Sequence, residues 1–154
     1  MSAVEARLEQ IGLSLPAVTV PLAAYVPAVR GGNLVFTSGQ LPMLDGKIMA
    51  TGRLGVDVEI ATAADCARQC ALNALAAVKS VIGDLDKVVR LVKVVGFVAS
   101  APEFTDQPLV VNGASEVFAA AFGEAGVHAR SSLGVAVLPL NAPVEVEIIV
   151  EVRD

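Results

Sequence analysis

Tryptophan is absent from this 154-residue chain, tyrosine and histidine occur once each, and only 18% of the residues are charged. Each scarcity closes off a class of function. One histidine and two cysteines give no zinc ligand set, and Cys66 and Cys70, one helical turn apart, are poorly placed for a disulfide. Both read as small buried hydrophobes. No run of about 18 apolar residues occurs, so no membrane-spanning helix is expected. The first residues, Met1-Ser-Ala-Val-Glu-Ala-Arg7, lack a basic segment leading into an apolar block, and a reducing, cytoplasmic setting is expected. Lys and Arg number 11 against 16 Asp and Glu, a net charge of −5, with no cluster of three or more cations. Nucleic-acid binding draws on a basic patch, and none is present. No Gly-x-Ser-x-Gly elbow marks a serine hydrolase.

What the chain has in surplus is apolar surface: 55% hydrophobic residues and a mean hydropathy of +0.67. In a chain with no membrane span, such a surplus goes into subunit interfaces, so an obligate homo-oligomer is expected. Residues 1–154 read as one domain, with 1–15 as a helical N-terminal extension carrying Val4, Leu8 and Ile11 on one side. Gly31-Gly32 predicts a hairpin between 25–30 and 33–38, followed by a loop through Asp45-Gly46 and Thr51-Gly52. The periodicity predicts a helix over 62–82, with Thr62 as N-cap, Asp65 completing a capping box and Gly83 ending it. A largely buried strand over 88–99, a second helix over 107–122, and strands over 132–138 and 144–152 complete the order. The class is α+β: a mixed sheet with two long helices packed on one face.

The stretch 128–139, His-Ala-Arg-Ser-Ser-Leu-Gly-Val-Ala-Val-Leu-Pro, opens an apolar strand-like run with one permanent charge, Arg130. A cation held there needs an anionic partner, either a protein carboxylate or the carboxylate or phosphate of a ligand.

Three motifs in order then carry a resemblance. Tyr25-x-x-Ala28, Gly32-Asn33 and Thr37-Ser38-Gly39-Gln40-x-Pro42 form the first. Asn112-x-x-Ser115-Glu116-x-Phe118 forms the second, and Ala129-Arg130-Ser131 with Leu138-Pro139 the third. Over residues 25–152 the chain resembles the Rid (reactive intermediate deaminase, or YjgF) family. The resemblance implies a chorismate-mutase-like fold and a homotrimer with ligand clefts between subunits. It also implies hydrolysis of enamine or imine intermediates of amino acids to a 2-oxo acid and ammonia, without metal or cofactor. By position Arg130 would anchor the substrate carboxylate, and Tyr25, Ser38 and Asn112 would line the cleft. Glu147 would activate water, given a one-residue insertion between Pro139 and Val144; Glu145 and Glu151 share its strand face.

Other readings stand beside these. Arg130 could pair with a neighbouring subunit's Glu, Tyr25 could be packing, Ser38 could bond to backbone, and Asn112 could brace the start of its helix. His128 could be a general base. At the level of function, a trimer that binds small carboxylates such as 2-oxo acids without turnover is the alternative. The ribonuclease or translation-inhibitor role attached to some family members fits poorly with the acidic charge.

Overall fold

The structure, a computed structural model, describes residues 1–18, 21 and 24–154. The proline-punctuated stretch 16–27 lies partly outside the described residues. The elements are α1 (Ala3–Gln10), β1 (Ala28–Gly31), β2 (Leu34–Thr37), β3 (Met43–Leu44), β4 (Lys47–Ile48) and α2 (Ile60–Ile82), followed by β5 (Val88–Ala99), α3 (Gln107–Phe122), β6 (Ala129–Val135) and β7 (Val144–Val152). Five strands form one mixed sheet in the order β1-β2-β7-β5-β6, in which only β5 and β6 are parallel. Both long helices pack on one face, the expected α+β arrangement.

Strand alternation decides which face is covered. On β7, Val144, Val146, Ile148, Val150 and Val152 are buried under the helices. Glu145, Glu147, Ile149 and Glu151 therefore point to the opposite face, which carries no helix among the described residues. Cross-strand pairing extends that open face through Val29, Phe36, Val95, Phe97 and Leu133. Three of these, Val29, Phe36 and Leu133, are exposed. Part of the surplus of apolar surface noted in the sequence lies here.

The helices approach at backbone distance. A Cβ built on Gly113 of α3 would lie 2.0 Å from the Ala64 carbonyl oxygen of α2, so a side chain there would force the pair apart. Cys66 and Cys70 are both buried and free on α2, and burial pushes the Cys66 thiol up to about 11. Among the described residues no helix is long and apolar enough to cross a membrane.

Several details differ from expectation, among them the hairpin arms, which run Ala28–Gly31 and Leu34–Thr37. The helix α2 begins at Ile60 rather than 62, with Glu59 as N-cap through its backbone alone, so Thr62 lies inside the first turn and makes no capping box. The strand β6 begins at Ala129, three residues early, because its parallel pairing with β5 starts there; residues 136–138 leave the sheet before a 3-10 turn at Pro139–Asn141. Arg130 is therefore inside a strand rather than ahead of it. The expected loop after Pro42 contains a small hairpin, β3–β4, turned by Asp45 and Gly46, both at positive φ. On α1, Val4 and Leu8 are buried but Ile11 is the exposed C-cap. That helix docks by its N-terminus: the Asp86 carboxylate accepts from the backbone N–H groups of Ala3 and Val4.

Candidate functional site

Arg130 pairs with Val94 across the parallel ladder, so its side chain leaves the sheet on the helix-covered face. There α3 offers two acceptors one turn apart. Arg130 Nη1 donates to Asn112 Oδ1 at 2.8 Å and to Ser115 Oγ at 3.1 Å. Both Nη1 protons are engaged. The Nη2 group has a long contact, 3.5 Å, with the Pro108 carbonyl oxygen. The Nε–Nη2 edge, the fork that holds carboxylates in two parallel hydrogen bonds, is otherwise open. Among the described residues no carboxylate lies within ion-pair distance of the guanidinium. Asn112 thus braces the arginine from the second turn of α3.

Two neighbours of Arg130 were less legible. Ser115 lies inside the second motif, but the motif gave it no role. It also sits 2.9 Å from His128 Nε2, and His128 Nδ1 sits 2.6 Å from the Gly126 carbonyl oxygen. Ser132, two residues along β6 on Arg130's face, has a buried hydroxyl with no hydrogen-bond partner.

The second group of predicted residues gathers around the end of β2. Ser38 Oγ donates to the Val26 carbonyl oxygen at 2.6 Å, which ties the hairpin to the segment carrying the exposed Tyr25. This is the backbone-bonding reading of Ser38. Beyond it, Gln40 pairs with Val146 of β7, and its side-chain amide donates to the Ser38 carbonyl. Gly39 is thereby set against Glu145, whose carboxylate oxygen would lie 2.1 Å from a Cβ at that position. Burial, and then the charge of Glu147, push the Glu145 carboxyl above the usual carboxylate range. Glu147 points the same way two residues on and lines a cavity of about 120 Å³ with Phe36, Lys93 and Val95. Strand alternation alone gives the two glutamates equal claims; Glu145 packs against Gly39, while Glu147 lies in the cavity beside Phe36 and Thr37.

Within one chain the two groups do not meet. Arg130, Asn112 and Ser115 lie on the helix face at the β6 edge. Ser38, Glu145 and Glu147 lie on the open face, two to three strand spacings away, roughly 10–14 Å. Among the described residues no group of three His, Cys, Asp or Glu is placed to hold a metal ion.

Residues 5–152 match the YjgF/chorismate mutase-like family, whose description also carries an endoribonuclease label. The chain belongs to that family. The YjgF-type fold is shared closely with a crystal structure of an Agrobacterium tumefaciens protein of unknown function, 50% identical. Its TM-score is 0.91, with 97% of this chain and 93% of that one covered. A Trypanosoma cruzi relative, protein TCP17, is 43% identical over 98% of this chain and 95% of its own. A third relative, from Dermatophagoides farinae, is named 2-iminobutanoate/2-iminopropanoate deaminase. It is 34% identical over 92% of this chain and 95% of its own.

Proposed function

We propose that the protein hydrolyses small enamine or imine acids derived from amino acids, releasing ammonia and a 2-oxo acid, in clefts between the subunits of a homotrimer. The observation that carries this reading is the state of Arg130. Neutral groups occupy Nη1, and the forked Nε–Nη2 edge has no protein carboxylate beside it among the described residues. A guanidinium braced in this way suits a ligand carboxylate better than a structural ion pair. The name of the mite relative supports the same chemistry.

Glu145 is the favoured partner. Its carboxyl, held above the usual carboxylate range by burial and the charge of Glu147, can take a proton from a water attacking the C=N carbon and return one to the departing nitrogen. The carbon gains oxygen, the C–N bond breaks, and ammonia leaves. Imines hydrolyse in water unaided, so orientation of substrate and water supplies most of the catalysis. Because Arg130 and Glu145 face opposite sides of one sheet, a cleft holding both needs two chains. The uncovered apolar face supports such an assembly.

The test couples an amino-acid oxidase, which generates imines, to semicarbazide, which traps those that survive. Wild-type protein lowers trapping and Arg130→Ala does not. If neither lowers trapping, catalysis is excluded for these substrates; pyruvate-induced stabilisation would then identify a binder instead.

A further inference from the structure

The single histidine belongs to a hydrogen-bond chain that ends on Arg130, and its direction can be read from the chemistry of the atoms. His128 Nδ1 lies 2.6 Å from the Gly126 carbonyl oxygen, which can only accept. In the neutral ring Nδ1 therefore carries the proton and Nε2 the lone pair. The Ser115 hydroxyl, 2.9 Å from Nε2, must then donate to it. With its proton directed there, Ser115 Oγ turns lone-pair density to Arg130 Nη1 at 3.1 Å. The ring plane is fixed from the side by Phe118, whose ring stands edge-on to it, at 88° with centroids 5.8 Å apart. With the ring neutral, every link has one orientation: guanidinium to serine, serine to imidazole, imidazole to backbone.

We propose that His128 is a positioning residue for Arg130. By accepting the Ser115 proton it holds that hydroxyl as an acceptor for Nη1, and so presents the Nε–Nη2 edge to the ligand carboxylate. The proposal rests on the reading of Arg130 as a carboxylate anchor. Without an acceptor at Nε2 the serine proton is free to swing toward the guanidinium, and the arginine loses one of its two fixed partners. The side chain must then be ordered by the ligand itself, which makes carboxylate binding roughly tenfold weaker.

Two measurements test this on the intact protein. In an ¹⁵N-correlated spectrum the one histidine gives a single ring pair. The expected signature is protonated Nδ1 and unprotonated Nε2, with the Nε2 signal moving in Ser115→Ala. A ring protonated on Nε2 overturns the proposal. Calorimetric titration with pyruvate then compares variants. His128→Leu keeps bulk against Phe118 but offers no acceptor, and should bind roughly tenfold more weakly, as should Ser115→Ala. Their combination should be no worse than either, because they break one chain. His128→Gln, which can offer an amide oxygen at the Nε2 position, should recover most of the affinity. If Leu and Gln are equally impaired, or losses simply follow the melting temperature, the ring is a packing group. If Arg130→Ala loses binding while His128→Leu keeps it, the positioning role fails and the anchor stands. If wild type and Arg130→Ala are alike toward pyruvate, the anchor reading fails and this role falls with it.

Discussion

Replacing Arg130 with lysine keeps the charge and removes the fork, which separates anchoring geometry from simple attraction. In the structure Nη1 serves Asn112 at 2.8 Å and Ser115 at 3.1 Å, leaving Nε and Nη2 for a carboxylate. An ammonium has three N–H bonds on one nitrogen. Two stay with Asn112 and Ser115, since leaving a part-buried polar atom unpaired costs about 1–3 kcal/mol. One remains for the ligand, so a bidentate pair becomes a single bond. Loss of one charge-assisted hydrogen bond is about 1.5–3 kcal/mol. Carboxylate binding in Arg130→Lys should therefore weaken roughly 10- to 150-fold, with the melting temperature little changed. Calorimetry with pyruvate, beside a thermal melt, reads both. Binding within about threefold of wild type would refute the fork as the ligand contact. Unfolding of Arg130→Lys or Arg130→Ala would mark the guanidinium as a structural brace instead.

The glutamates make a pH prediction. Glu145 is held above the usual carboxylate range by burial first and Glu147's charge second, so ionising it in the fold costs stability as pH rises through that range. In urea unfolding at neutral pH, Glu145→Gln should be neutral to stabilising, while the proposed deaminase activity should be lost. Because the base works only when ionised, wild-type activity should fall as pH drops through the raised value, and Glu147→Gln should move that acid limb to lower pH. Glu5 behaves oppositely: the Lys79 ammonium, 2.6 Å away, and the Ser2 N–H hold its carboxyl at about 2. Its contribution is present above the ordinary carboxylate range and lost as pH falls toward that value. Glu5→Gln should lower stability at pH 7 by up to about 1 kcal/mol, the limit for a pair exposed in part, and the difference from wild type should close in acid melts. Gly113→Ala should destabilise by about 1–3 kcal/mol in urea despite alanine's better helix propensity, because the Ala64 carbonyl occupies the space.

The two periodicities carry most of the architecture. The strands over 88–99 and 144–152 and the helix over 107–122 keep the bounds that the sequence pattern gives, with Gly123 after the helix and Pro143 before the last strand. The α2 start is hidden because Glu59 caps through its backbone, so no side-chain signature marks it. The slip at β6 has a different cause: a parallel strand is bounded by its partner, and nothing in residues 129–138 says that β5 pairs from Ala129 to Val135. The site shows the same division. Asn112 and Arg130 are readable as motif residues, and Ser115 follows once Arg130 lies against α3. That Arg130 and Glu147 face opposite sides of the sheet depends on β6 joining beside β5, which no local pattern encodes. The bond from His128 to Ser115 spans 13 residues and needs the turn after α3 to form it.

That division between faces leads to a prediction about chains rather than residues. If each cleft takes Arg130 from one subunit and Glu145 from the next, chains disabled at one residue can supply the other. In the proposed trimer, Arg130→Ala and Glu145→Gln proteins should each be inactive alone. In a three-membered ring assembled at random from equal amounts, a cleft works when its arginine comes from a Glu145→Gln chain and its glutamate from an Arg130→Ala chain. Each condition is met half the time, so the mixture should recover about a quarter of wild-type activity. Co-expression with two distinct tags, and purification through both, raises that share and proves mixing by mass spectrometry. A cleft built within one chain predicts no recovery at all, since no chain then holds both groups. Mixed assemblies that stay as inactive as their parents would overturn the two-chain cleft, and would require Arg130 and the catalytic carboxylate to be found on one face of one sheet.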